Sequence, residues 1–320
     1  MTNGNGGGAR RHHYVPQCYL KRFTSTGSKK AQIFVLDAQT QRSFVTTPQN
    51  VAAERDFNRI ELDGEDPNLI ESSYAEFEAR VAPALVRTDA RGSFTDDADK
   101  ALILELVAIL AVRNPGRREA MRRFQEETHR RMMELLVADQ GRWETRRQRA
   151  MDAGFVDENN VTFEQARDFV ERGDFTIEVP TTTHVQQELR SLTVVYNLLQ
   201  DRSWVVLRAA PESGGFVTSD HPVTLFWNDP EIEGVFFPPG FGHRDTSVFC
   251  PISKNLAIRG CFDDREGTAD MPAEIVAAIN QRTIFCAGRQ VYAENERFRF
   301  IDQDGVLRHG RDLLTLLTEQ

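Results

Sequence analysis

The sequence predicts an α+β fold: an antiparallel β-sheet formed by N-terminal and C-terminal strands, with a central block of long helices packed on or beside it. Three observations predict it. Short β-branched and aromatic runs bounded by turn residues lie near both ends, at about residues 30–60 and 201–293. A helical period governs the stretch between them, about 68–200. Strands and helices also come in blocks instead of alternating, which separates α+β from α/β. No internal repeat and no linker rich in Pro, Gly or Ser divides the chain. One domain over 11–320 is expected after a flexible glycine-rich tail, 1–10.

In order along the chain, Ile33–Leu36 and Ser43–Val45 predict two strands around a turn at Asp37–Thr40. From Leu69 the apolar residues Ile70, Tyr74, Phe77, Val81 and Leu85 recur at helical spacing. Ala98–Val112 is apolar almost all round and should be a centrally buried helix, ended by Asn114-Pro115-Gly116. A third helix should turn Met121, Phe124, Thr128, Met132 and Leu135 inward. A fourth should run from about Thr182 to Gln200. Beyond Asp201, short apolar runs predict a meander of strands, Val235–Phe237 among them. Pro272–Ile284 then predicts a covering helix, and Gln290–Tyr292 a last strand.

Composition narrows the function classes. With 40% hydrophobic and 27% charged residues the chain is ordinary globular protein, and a net charge of −9 argues against indiscriminate coating of nucleic acid. Cys18, Cys250, Cys261 and Cys286 form no close pairs, so neither a disulfide framework nor structural zinc is indicated, and reduced thiols in the cytoplasm are expected. Ala101–Val112 is too short to span a bilayer and carries Glu105, so no membrane association is expected. No Walker loop, dinucleotide fingerprint, HExxH or GxSxG is present, and no nucleotide cofactor is expected.

Three places concentrate chemistry. Arg11–Phe23 sets His12, His13, Tyr14, Gln17 and Tyr19 between apolar anchors; an imidazole there can be a base, a metal ligand or a buried hydrogen-bonding group. Gly215–Val223 runs a strand into Ser219-Asp220-His221-Pro222, a corner that presents a carboxylate and an imidazole or else forms an Asx-type turn. Arg113 ends the apolar helix and needs an anion, either structural (Glu54 or Glu105) or from a substrate. From Arg113 to Arg149 eleven arginines stand against six acids, a local excess of five positive charges. That is the footprint of a nucleic-acid surface, or of a solvated helix laced by pairs such as Glu127–Arg131.

The order of these segments resembles the bacterial proteins grouped as domain-of-unknown-function family 4238. The likeness rests on HHYVPQCYLKRF, AERDFN at Ala53–Asn58, Arg113-Asn114-Pro115-Gly116-Arg117-Arg118, FVTSDHPV at Phe216–Val223 and FCPIS at Phe249–Ser253. Cys18 stands where the family more often shows a bulky residue, which argues against a thiol mechanism. Membership implies which residues matter and names no activity.

The leading expectation is a metal-assisted phosphodiesterase or nuclease of a defence or toxin kind. Asp220, Glu54 and His221 would hold Mg²⁺, Mn²⁺ or Zn²⁺, and His13, Asp220 and Glu54 would form the catalytic set. Arg113, Arg117, Gln17 and Tyr19 would bind substrate. Against it stand a non-catalytic sensor or binding module for a small anion or a partner protein, and a buried polar network that is purely structural.

Overall fold

The computed structural model describes residues 10–28, 30–155, 161–229, 231–232 and 238–318. Apart from Arg10, the expected tail lies outside these residues, as does the expected strand at Val235–Phe237. Strands β1 (Arg11–His13), β2 (Ile33–Asp37), β3 (Arg42–Thr46) and β4 (Ala53–Arg55) come first, with the short helix α1 (Gln17–Leu20) after β1. Helices α2 (Leu69–Arg91), α3 (Asp97–Val112), α4 (Pro115–Val137), α5 (Gln140–Asp152), α6 (Phe163–Arg172) and α7 (Thr181–Gln200) fill the middle. Then follow β5 (Ser203–Ala209), β6 (Thr218–Ser219), β7 (Thr224–Trp227), β8 (Thr246–Pro251), β9 (Leu256–Cys261) and β10 (Gly267–Met271). Helix α8 (Ala273–Phe285), β11 (Gln290–Ala293), β12 (Arg299–Ile301), β13 (Leu307–His309) and α9 (Leu313–Thr318) complete the order. The architecture is α+β.

The chain divides into two compact units, Met1–Pro115 with Val185–Gln320, and Gly116–His184. In the first unit a four-stranded antiparallel sheet, β3-β2-β11-β6, joins N-terminal to C-terminal strands as the patterning predicts. β2 is buried along its whole length because it lies inside this sheet. A second sheet, β10-β5-β9-β8-β7, is antiparallel except for the parallel pair β10–β5. The strand period of two divides β5 between two cores: Trp204 and Val206 join the main cluster, while Leu207 joins a second one with Phe249, Ala257 and Val276 of α8. Thus α8 covers the outer face of this sheet.

Helix α3 is the centre of the main cluster. Asp96 caps it, its side chain accepting the Asp99 N–H at 2.8 Å, and Asp97 and Asp99 suit the positive end of the helix dipole. Ile103, Leu104 and every residue from Leu106 to Val112 are buried, so truncating one large member to alanine should cost about 2–5 kcal/mol. Pro115 has no N–H to continue α3, but it is well placed to begin α4. α2 buries Phe77, Val81 and Leu85 of its expected stripe and ends at Gly92 in the left-handed region, φ 71°.

The second unit contains α4, α5 and α6. Here one expectation fails: Phe124, Met132 and Leu135 are 67%, 61% and 53% exposed, so the apolar stripe of α4 is not an inner face. Inside the unit, Trp143 meets Phe163 edge-on and Phe169 stacks on Phe175. No helix among the described residues is long and apolar enough to cross a membrane.

Candidate functional site

The Arg11–Phe23 segment is where the separated motifs meet. β1 pairs with β4, so the HHYVPQ and AERDFN segments form one antiparallel ribbon in which His12 faces Glu54 and His13 faces Ala53. His12 is fully buried and its Nδ1 accepts the backbone N–H of Asn58 at 2.9 Å. His13 points to the other side. Its Nε2 lies 3.2 Å from the carbonyl oxygen of Gln49, which can only accept, so Nε2 carries the proton. The Gln17 amide nitrogen lies 3.4 Å from Nδ1 and donates to it. Burial lowers the His13 pKa, and this arrangement suits a neutral ring.

Arg113 caps the C-terminus of α3 and donates from Nη2 to the carbonyl oxygen of His13. Its guanidinium lies over the Tyr74 ring, 3.8 Å from the centroid, and the residue is 2% exposed. Backbone carbonyl and aromatic face thus replace the water that a buried cation loses.

Further along the same segment, Tyr19 is fully buried. Its hydroxyl donates to the Pro251 carbonyl at 2.7 Å and accepts from Thr218 Oγ1 at 2.6 Å, joining FCPIS and FVTSDHPV to α1. Arg22 donates to Asp89 of α2, which also accepts the Ser253 hydroxyl at 2.5 Å.

Asp220 is turned towards backbone. Oδ1 accepts the Gly288 N–H at 2.9 Å and Oδ2 the Gln290 N–H at 3.2 Å. The loop passes so close that a Cβ on Gly288 would stand 3.4 Å from Oδ2. Burial raises the Asp220 pKa, while these N–H groups and the neighbouring His221 oppose the rise. Next to it Tyr14 hydrogen-bonds Tyr292, Tyr292 donates to Gln290 Oε1 at 2.8 Å, and the Gln290 amide donates to Asp37 Oδ2 at 2.6 Å. Arg289 donates to the same oxygen at 2.8 Å. Burial opposes ionisation of Asp37, but the bonds from Arg289, Gln290 and Thr40 prevail and hold its pKa at about 2. Burial, then the charges of Asp220 and Glu54, raise the Tyr14 hydroxyl.

Among known families, the one described as Protein of unknown function (DUF4238) matches residues 11–297. The chain belongs to this family. Neither the curated proteins nor the solved structures contain a match.

Set against that network, the candidate residues of this DUF4238 member sort as follows. His13, Gln17 and Arg113 come together, as do Asp220 and His221, whose N–H bonds Ser219 Oγ at 3.1 Å. Tyr19 is a correction: a substrate cannot reach a hydroxyl enclosed in the core with both its bonds made by protein. The catalytic grouping of His13 with Glu54 is a second correction, because the ribbon register sends their side chains to opposite faces and leaves Glu54 exposed. Asp220 and Glu54 do share an electrostatic neighbour in Tyr14, yet among the described residues no group of three or more His, Cys, Asp or Glu side chains comes together to hold an ion. Arg117 is exposed in the first turn of α4, in the second unit. In the arginine run around it, Arg122 bonds Glu119 and Glu126, Arg123 bonds Glu119, and Arg131 pairs with Glu134.

Cavities of the first unit are lined mainly by other residues, with Arg289 and Phe249 among the exceptions. One of about 390 Å³ lies between α8 and the outer face of the five-stranded sheet. Leu207, Phe226, Phe249 and Met271 form its apolar floor, and Arg259, Arg282 and the single carboxylate Asp264 line it too. The Arg282 guanidinium lies over the Phe226 ring, 4.4 Å from the centroid, and Arg259 Nε donates to Ser247 Oγ at 3.2 Å. Sequence reasoning missed this site because its lining comes from five strands and a helix, and only Phe249 belongs to a motif.

Proposed function

We propose that the chain is a non-catalytic binding module for a small amphipathic anion, and that its shared motifs are the framework which holds the binding unit together. The observation that carries this reading is the cavity under α8. It pairs a mainly apolar floor with two arginines and one carboxylate, the composition of a small-ligand site selective for an acid with an apolar body. Planar guanidinium groups grip carboxylates or sulfonates through paired hydrogen bonds. The motif residues support the framework role, since their polar groups are directed at protein partners across the first unit.

The test uses 1-anilinonaphthalene-8-sulfonate, followed by fluorescence titration. Arg259→Gln and Arg282→Gln should each weaken binding about tenfold, the loss of one charge-assisted hydrogen bond. Ala278→Trp should fill the cavity and abolish saturable binding. Saturable binding that survives Ala278→Trp unchanged would refute the assignment.

A further inference from the structure

The exposed stripe on α4 has a symmetry of its own. Met121, Phe124, Thr128, Met132 and Leu135 are separated by steps of three, four, four and three. The order of steps is therefore the same in both directions from Thr128. At 3.6 residues per turn these five positions share one face, and the three large side chains Phe124, Met132 and Leu135 stand more than half exposed on it.

We infer that this face pairs with α4 of a second copy of the chain, antiparallel, about a two-fold axis through Thr128. In that arrangement the stripe meets itself: Phe124 comes level with Met132 of the second copy, and Met121 with its Leu135. An isologous interface demands this self-complementarity. Charge argues for the same direction. Residues 115–123 carry four arginines against one glutamate, net +3, whereas residues 133–137, the last of α4, carry Glu134 with no Lys or Arg, net −1. Antiparallel pairing sets these oppositely charged ends side by side, whereas parallel pairing would set like on like. Glu127 and Arg131 flank the same edge of the stripe within a turn of the axis, so each Glu127 approaches the opposite Arg131. A single helix pair is small beside the roughly 1,200 Å² that stable complexes bury, so the association is weak and concentration-dependent.

Sedimentation velocity on the full chain over rising concentration tests this. The mass should climb from the 36.4 kDa monomer towards twice that value. Phe124→Glu combined with Met132→Glu should hold it at the monomer, with thermal unfolding unchanged because both positions are exposed. Glu127→Arg should weaken pairing about tenfold, since symmetry repeats the fault at two places, and adding Arg131→Glu should restore it. A wild-type chain that stays at 36.4 kDa at hundreds of micromolar would overturn the inference, as would a Glu double variant that associates like wild type.

Discussion

Replacing Tyr19 by phenylalanine removes one oxygen atom from the middle of the motif network and leaves the ring in place. Two buried groups lose their partner: the Pro251 carbonyl, which accepts the tyrosine proton, and the Thr218 hydroxyl, which donates to the same oxygen. A buried polar group stripped of its partner costs about 1–3 kcal/mol. The threonine hydroxyl can rotate towards another acceptor, so most of the loss falls on the carbonyl, and about 2 kcal/mol in total is expected. Urea denaturation followed by tryptophan emission reads this well, because Trp204 is buried in the same cluster. With a slope of about 3 kcal/mol/M, the midpoint should fall by about 0.7 M at unchanged slope. Anion binding under α8 should be unaffected. A midpoint equal to wild type would refute the reasoning, because it would mean that the bonds linking α1 to the FVTSDHPV and FCPIS segments contribute nothing to the fold.

Two further predictions concern pH. Asp37 has its pKa depressed to about 2 in the fold, so its contribution is present above the unfolded value near 3.9 and lost as pH falls through the folded one. The shift corresponds to about 2 kcal/mol, reduced by solvent screening because Arg289 is half exposed, and Asp37→Asn should flatten the fall in stability between about pH 4 and 2. For His13 burial lowers the folded pKa, so the unfolded chain takes up the proton first. Its contribution is full above about 6.5 and lost as pH falls below that value, and His13→Gln should remove that part of the acid slope in calorimetric scans.

Much of the fold is legible in the sequence where one period runs uninterrupted. α3 is apolar almost all round and can only be central, while helical spacing sets the start of α2 at Leu69 and both ends of α7 to within a residue or two. α5 and α6 are not among the expected helices: α5 has few apolar residues, and although Phe163, Ala166, Phe169 and Val170 give α6 one apolar face, neither helix buries any residue. β10 and β13 are short and mostly exposed, and β12 has only three residues, so no alternation marks them. The α4 stripe shows the limit most plainly: its spacing identifies a helix, but nothing local says whether another element of the same chain covers it.

The site divides in the same way. The motif residues were identifiable from their density of polar groups between apolar anchors. Their partners were not, because Tyr19 meets Thr218 across 199 positions and Gln290 meets Asp37 across 253. Tyr292 and Asp89, the partners of motif residues Tyr14, Arg22 and Ser253, carry no sequence signal apart from the contacts they make.

The central claim is that Asp220 and its neighbours hold the fold together and do not run a metal-assisted reaction. It is tested most directly by thermal unfolding of wild type and Asp220→Ala, each with and without Mn²⁺. Loss of the carboxylate strips the Gly288 and Gln290 N–H groups of their acceptor, so the variant should be destabilised by about 2–4 kcal/mol, with Mn²⁺ shifting neither protein. A wild-type chain stabilised by Mn²⁺, with that gain abolished in an Asp220→Ala protein that is otherwise as stable as wild type, would contradict it.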